Sequence, residues 1–292
     1  MDLGQFKDHY VPLIDETCTK FLNELNLATT LKDSILYSYL AGGKRIRPLL
    51  LLAVLDAFSI EIEKGIKTAG ALELIHTSSL IHDDLPCMDD DDYRRGKLTN
   101  HKVFGEATAV LAGDALLVNA FELISSDSLL TVDQRLQLVR ELAIKSGANG
   151  MIGGQQLDIE NEDQVLILEQ LLKIHEHKTG KLLEFALIAG GIISDCNEEE
   201  IATLRESAKH IGVAFQIKDD ILDVIGDAEV IGKKINQDEK NHKSTYVNLL
   251  GLQNATNKLQ YHYNEAIELL KSLKLNSELL ETIYKLIIER NN

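Results

Sequence analysis

The stretch Thr68–Asp89, TAGALELIHTSSLIHDDLPCMD, decides the fold class. From Thr68 to Asp84 it presents apolar or small side chains on most sides of a helix. A helix that is apolar nearly all round has to be covered by other helices, so the pattern predicts a core helix of a larger bundle. Pro86 ends it, because the residue before a proline is pushed out of the helical region and proline itself lacks an amide N–H. Ala109–Ala120 and Leu182–Ile193 read the same way.

Outward from that helix the 3.6-residue period recurs along the chain. It predicts helices over Leu27–Leu40, Pro48–Phe58, Thr108–Ser125, Asp133–Gly147, Val165–Gly190, Glu198–Ile225, Ala255–Leu273 and Glu278–Arg290. Gly42-Gly43 breaks the pattern, and Pro48 sits in a first helical turn, where proline is tolerated. No alternating run demands a strand, no Pro-, Gly- or Ser-rich linker divides the chain, and no repeat emerges. The expectation is an all-α protein, a single domain over residues 1–292, with about ten or more helices.

Composition agrees. Of 292 residues, 45% are apolar and 26% charged, only three are proline, and tryptophan is absent. The net charge of −16 argues against a nucleic-acid partner, since phosphate contacts need basic surface. It leaves room for an enzyme that binds anionic phosphates through bridging cations. Cys18, Cys87 and Cys196 are far apart and form no CxxC pair, which predicts neither a disulfide framework nor a zinc site. The opening MDLGQFKDHY lacks the basic-then-apolar layout of a signal peptide. Phe185–Ile193 is the longest apolar stretch and falls well short of the roughly 20 residues of a membrane span. A cytoplasmic protein with no membrane span is expected.

Charge is concentrated in two places. Six of the ten residues Asp83–Asp92 are aspartates, and Arg94 and Arg95 follow directly. The stretch FQIKDDILD, Phe215–Asp223, places Asp219 and Asp223 four apart, on one face of a helix. Side chains so placed repel one another unless a cation lies between them. Asp83 and Asp84 end the first helix, and Asp89 can curl back toward them past Pro86. Ligand sets of oxygen alone select a hard cation, and Mg²⁺ takes one or two carboxylates together with water and substrate phosphates. A calcium loop does not fit: starting at Asp83 it would have Leu85 in an acidic slot and Met88 in the glycine slot, and starting at Asp89 it would have Arg94 there. Asp90–Asp92 read as solvated bystanders. His175 and His177, two apart, point to opposite faces of a helix and make no zinc pair. Gly153-Gly154 lacks a P-loop lysine and reads as close helix packing.

In chain order, GGKRIRP (Gly42–Pro48), LIHTSSLIHDDLP (Leu74–Pro86), RRG (Arg94–Gly96), LAGDAL (Leu111–Leu116), GGQQLD (Gly153–Asp158), HKTG (His177–Gly180), DDILD (Asp219–Asp223) and KST (Lys243–Thr245) resemble the motifs of the trans-isoprenyl diphosphate synthases. The resemblance covers most of the chain. It implies an all-α bundle around a central cavity, a homodimer, and Mg²⁺-dependent joining of isopentenyl diphosphate to an allylic diphosphate. It assigns Asp83, Asp84, Asp89, Asp219, Asp220 and Asp223 to the metal ions. Arg94, Lys178 and Lys233 would hold the allylic diphosphate, and Lys44, Arg47, His76 and Arg95 the isopentenyl diphosphate. Thr179 and Gln216 would lie near the developing carbocation with Lys178, Phe215 beside the isopentenyl group, and Lys243 above the diphosphate. Chain length in such enzymes depends on side chains just before the first aspartate, here the small Ser78 and Ser79, with Leu117 or Phe121 as other candidates for the cavity floor. The resemblance implies farnesyl diphosphate as product, and the small Ser78 and Ser79 depart from that pattern and leave geranylgeranyl diphosphate as the alternative. A terpene cyclase, whose second motif normally contains Asn and Ser or Thr, and a non-catalytic partner subunit, which usually loses aspartates, fit the sequence less well.

Overall fold

The computed structural model describes residues 1–162, 164, 166–225 and 244–290. Among these the helices are α1 (Leu3–Glu24), α2 (Thr29–Tyr39), α3 (Ile46–Ala57), α4 (Ile66–Asp83), α5 (Asn100–Phe104), α6 (Glu106–Ser125), α7 (Val132–Ser146), α8 (Met151–Glu160), α9 (Leu168–His175), α10 (Lys181–Ile193), α11 (Glu198–Ile225), α12 (Tyr246–Leu250), α13 (Leu252–Ser272) and α14 (Glu278–Glu289). The one sheet among the described residues is a two-stranded hairpin, β1 (Tyr93–Arg94) against β2 (Lys97–Leu98). The all-α expectation holds. By internal contacts the chain forms two units, Met1–Leu52 with Glu61–Val139, and Ala53–Ile60 with Arg140–Asn292, so that α3 and α7 each run across the division.

In the first unit, α1 begins with a capping box: Asp2 Oδ1 accepts from the Gln5 amide and Gln5 Oε1 from the Asp2 amide. The periodicity reading names no helix before Leu27. Pro12 obscures α1, yet this proline lies on the exposed face while Phe6, Ile14, Cys18 and Leu22 form the buried stripe. Gly70 on α4 lets the Cys18 thiol approach closely, which seats α1 on α4. Gly113 on α6 does the same for the His82 ring, which also pairs with the Val110 carbonyl. Along α3, Leu50, Leu51 and Leu52 are fully buried. Each contributes about 1.5–3 kcal/mol by leaving water.

α6 is the one helix among the described residues long and apolar enough to cross a membrane. Its close approach to α4 at Gly113 and its internal Asp114 give it the character of a packed helix.

In the second unit, Asn197 Oδ1 caps α11 by accepting from the Glu199 and Glu200 amides. Leu204, Ala208, Ile211, Ala214, Ile217 and Ile221 then recur every three or four residues as its buried stripe. The helix predicted over Val165–Gly190 is present from Leu168 and runs on to Ile193, where α9 and α10 are joined without a break by a π-helical turn, Glu176–Gly180. The widened turn lets α8 come close: a side chain at Gly154 would overlap the Lys178 amide nitrogen. Close helix packing is thus present at Gly154, whereas a side chain at Gly153 would meet the Ala148 carbonyl that precedes its own helix.

Candidate active site

The first aspartate set lies in the first unit. Asp83 is the last residue of α4 and Asp84 caps it. The chain then turns back on itself, because the Asp89 amide donates to the Asp83 carbonyl at 2.9 Å and the Asp90 amide to that of Leu85 at 3.1 Å. Asp83 is half-buried and Asp89 exposed, whereas Asp84 is buried. Asp84 Oδ1 receives Arg94 Nε at 2.6 Å. Burial raises the Asp84 pKa, and the Arg94 bond works against that rise. Asp90 is exposed as expected, but Asp91 and Asp92 are more than bystanders. Asp91 Oδ2 lies 3.4 Å from Arg94 Nη2, Asp92 pairs with Lys102 at 2.7 Å, and the Asp91 and Asp92 carbonyls hold Thr99.

The RRG motif is a hairpin turn. Arg95 and Gly96 both have positive φ, 54° and 75°, the signature of a type I′ connection. Glycine takes that conformation freely, whereas arginine there costs roughly 1 kcal/mol. The turn throws Arg94 back onto Asp84 and Arg95 onto the glycine pair. Arg95 Nη1 donates to the Gly42 carbonyl, and a side chain at Gly43 would strike the guanidinium.

Arg47 Nη1 lies 3.3 Å from His76 Nε2. Burial, followed by the fields of Arg47, Arg95, Arg94 and Arg45, pushes His76 well below the usual histidine range. A neutral imidazole can accept from Arg47 and so add no charge to a cluster already rich in cations. Lys44 is exposed beside it. Four arginines around a neutral histidine suit a polyanion such as a diphosphate. Ser78 is buried and Ser79 is half-buried, its Oγ bonded to the His76 carbonyl at 2.9 Å. Leu117 and Phe121, on α6, are half-buried. Tyr37, Thr77, Asp84, Arg94, Arg95 and Asn100 are among the residues lining a small cleft that is partly open to solvent.

The second set lies in the second unit, on α11. Asp219 and Asp223 are half-buried, and Asp220 is buried with its Oδ2 accepting from the Tyr246 amide at 2.7 Å. Gln216 Nε2 is 3.4 Å from Asp219 Oδ2. Arg290 completes the group. Its guanidinium donates to Asp219 Oδ1 at 2.6 Å and to the Phe215 carbonyl at 3.0 Å, and it stacks 3.8 Å from the centre of the Phe215 ring. Lys178 and Thr179 sit in the π-helical turn, and Lys178 Nζ reaches Asp158 Oδ2 at 2.7 Å. Lys233 and Lys243 lie outside the described residues.

Among the described residues no three carboxylate, histidine or cysteine side chains converge tightly enough to hold a metal ion by themselves. The donors are oxygen only, and at Asp219 and Asp84 a guanidinium already shows that a cation is accepted there.

A polyprenyl synthetase family model matches residues 28–287. The chain belongs to the polyprenyl synthetase family. Within it, the chain is 52% identical to a farnesyl diphosphate synthase of Bacillus subtilis, covering 96% of this chain and 95% of that one. It is 41% identical to a geranylgeranyl diphosphate synthase of Cyanophora paradoxa, over 96% of this chain and 94% of that one. A solved geranyltransferase of Helicobacter pylori, complexed with magnesium and isoprenyl diphosphate, superposes with a TM-score of 0.81 at 39% identity, covering 97% and 96% of the two chains. Against the family motifs, the side chains that sequence reading left unassigned are Arg45, Asp158 and Arg290. Asp158 closes the GGQQLD motif, but nothing about a lone arginine near the end of a chain announces its partner.

Proposed function

We propose that the chain condenses isopentenyl diphosphate head to tail with an allylic diphosphate, dimethylallyl or geranyl, and that its product is farnesyl diphosphate. The observation that carries this is the near full-length identity to a farnesyl diphosphate synthase, joined to two aspartate sets with their basic partners. Residues 1–292 act in this reading as one polyprenyl synthetase domain.

Asp83, Asp84 and Asp89 in the first unit, and Asp219, Asp220 and Asp223 in the second, would hold Mg²⁺. When bound, Mg²⁺ would supply Lewis-acid neutralisation of the allylic diphosphate as leaving group. Arg94, Lys178 and Lys233 stabilise the charge that builds on the departing oxygens. Lys44, Arg47, His76 and Arg95 fix the isopentenyl diphosphate, Phe215 packs by its alkene, and Lys243 closes over the diphosphate. As the allylic C–O bond breaks, Thr179 and Gln216 face the cation with their oxygens. The isopentenyl double bond attacks that cation, and the released diphosphate takes the proton that leaves.

The small Ser78 and Ser79 favour the second reading, geranylgeranyl diphosphate. Chromatography of labelled products from dimethylallyl, geranyl and farnesyl primers decides between them: fifteen carbons are expected, and a main product of twenty sinks the first reading. Asp219→Ala is expected to abolish Mg²⁺-dependent condensation; undiminished turnover refutes the two-set mechanism. A second copy of the chain is part of the reading and covers the exposed side chains of α6. The three cysteines are free thiols, which suits the reducing interior of a cell.

A further inference from the structure

The sequence GGKRIRP contains one cation that faces away from solvent. Arg45 is 3% exposed, between an exposed Lys44 and a half-buried Arg47. Its Nη1 donates to Glu73 Oε1 at 2.7 Å and to the Gly42 carbonyl at 3.3 Å. Its Nε donates to Asp15 Oδ1 at 3.0 Å and its Nη2 to the Tyr39 carbonyl at 3.0 Å. The guanidinium also lies 5.0 Å from the centre of the Tyr39 ring, whose hydroxyl bonds Asp15 at 3.1 Å. One side chain therefore ties together α1, the end of α2, the glycine loop and α4.

We propose that Arg45, with Glu73 and Asp15, is a positioning residue for the isopentenyl diphosphate cluster, acting through the Gly42 carbonyl and the register of Arg47 against His76. The inference rests on the assignment of that cluster under the proposed function and deepens it. Two carboxylates neutralise Arg45, so it adds little attraction for a distant anion; what remains is geometry. Glu73 precedes His76 by three residues on α4 and lies on the same face. Arg45 ends the glycine loop, and Arg47 follows two residues later in the first turn of α3. The Gly42 carbonyl accepts from both Arg45 and Arg95, which makes it the joint between the buried network and the exposed guanidinium.

The backbone points the same way. Arg45 has φ 52°, a left-handed conformation that L-residues with side chains seldom adopt. A non-glycine residue stays there only where its surroundings over-determine it, and four anchors on Arg45 do so. Stability alone does not demand this arrangement, since a buried ion network can be replaced by apolar side chains of similar volume at little or no loss.

The test is steady-state kinetics on the full-length protein with Mg²⁺, isopentenyl diphosphate and geranyl diphosphate, for Arg45→Gln, Arg45→Lys and Glu73→Gln. Arg45→Gln is expected to raise KM for isopentenyl diphosphate more than tenfold while KM for geranyl diphosphate stays within twofold. Glu73→Gln is expected to raise it about fivefold, and Arg45→Lys to recover part of the loss. If Arg45→Gln does not fold, as judged by circular dichroism, Glu73→Gln carries the test. Unchanged KM values, or the two rising together, overturn the proposal. Arg47→Ala is the separate control: if it leaves KM for isopentenyl diphosphate unchanged, the assignment of the cluster has failed rather than the role of Arg45.

Discussion

Arg290 Nη2 lies 2.6 Å from Asp219 Oδ1, so the last basic side chain of the sequence is the counter-ion of the second aspartate set. The pair is held from a second side by the stacking of Arg290 on Phe215. With Asp219 as a ligand, Arg290 and a divalent cation compete for one oxygen. Arg290→Met is then expected to tighten Mn²⁺ binding to the substrate-free protein by about fivefold, the equivalent of roughly 1 kcal/mol from a partly exposed pair. Electron paramagnetic resonance of free Mn²⁺ reads this without turnover. Unchanged or weaker binding rejects the competition.

The packing of α8 on the π-helical turn gives a second prediction. Gly154→Ala puts a methyl group where the Lys178 amide nitrogen already is. Backbone cannot step aside as a flexible side chain can, so overpacking is expected to cost about 1–3 kcal/mol in urea unfolding. Because Lys178 and Thr179 sit in that turn, KM for the allylic diphosphate should rise as well. Wild-type values for both would show that the turn yields freely.

A third concerns acid. His210 Nδ1 and His262 Nδ1 lie 3.0 Å apart, so only one proton serves that bond. Burial, then the neighbouring His210 and Lys258, hold His262 at about 4, below its ordinary 6.5. A histidine depressed by folding takes up its proton more readily in the unfolded chain. Its contribution to stability is therefore complete above about 6.5 and is lost as the pH falls toward 4. Urea midpoints measured down this range should decline, and less steeply in His262→Phe. Equal slopes would assign the acid sensitivity to other groups.

A fourth concerns assembly. Val110, Leu111 and Val118 on α6 are 40%, 56% and 62% exposed. Exposed apolar side chains at these positions, with the exposed Asp114 between them, are what the second copy in the proposed function would cover. On that reading the double variant Leu111→Glu/Val118→Glu is expected to leave only monomer in light scattering. A wild-type monomer at micromolar concentration would remove the second copy from the proposed function.

Much of this was legible in the sequence. The apolar helix predicted over Thr68–Asp84 is α4, Ile66–Asp83, and Glu198–Ile225 matches α11 at both ends. Both were readable because burial on one side or all round leaves a periodic mark. The aspartate sets stood out because their charge has no cheap structural explanation; their role as ligands belongs to the proposed function. What escaped has physical reasons. Pro12 hid α1, since sequence does not say that a proline faces water. The hairpin strands of two residues each are too short to alternate. Lys173–Lys181 looks helical either way, because α and π turns use the same residues. Arg45 and Arg290 look like surface charge until their partners, 28 and 71 residues away, are placed beside them.

The π-helical turn at Glu176–Gly180 also constrains which lengths of chain can survive at this point. A π turn accommodates one more residue than an α turn. Losing a single residue between His175 and Lys181 would let α9 and α10 wind into one regular rod. Because that turn already takes up the extra residue, α10 would keep its faces, and Leu182, Leu183, Phe185, Ala186 and Leu187 would stay buried. The change would fall on the turn itself, where Lys178 would part from Asp158. A one-residue deletion here is therefore expected to be lethal to this motif while leaving the bundle folded.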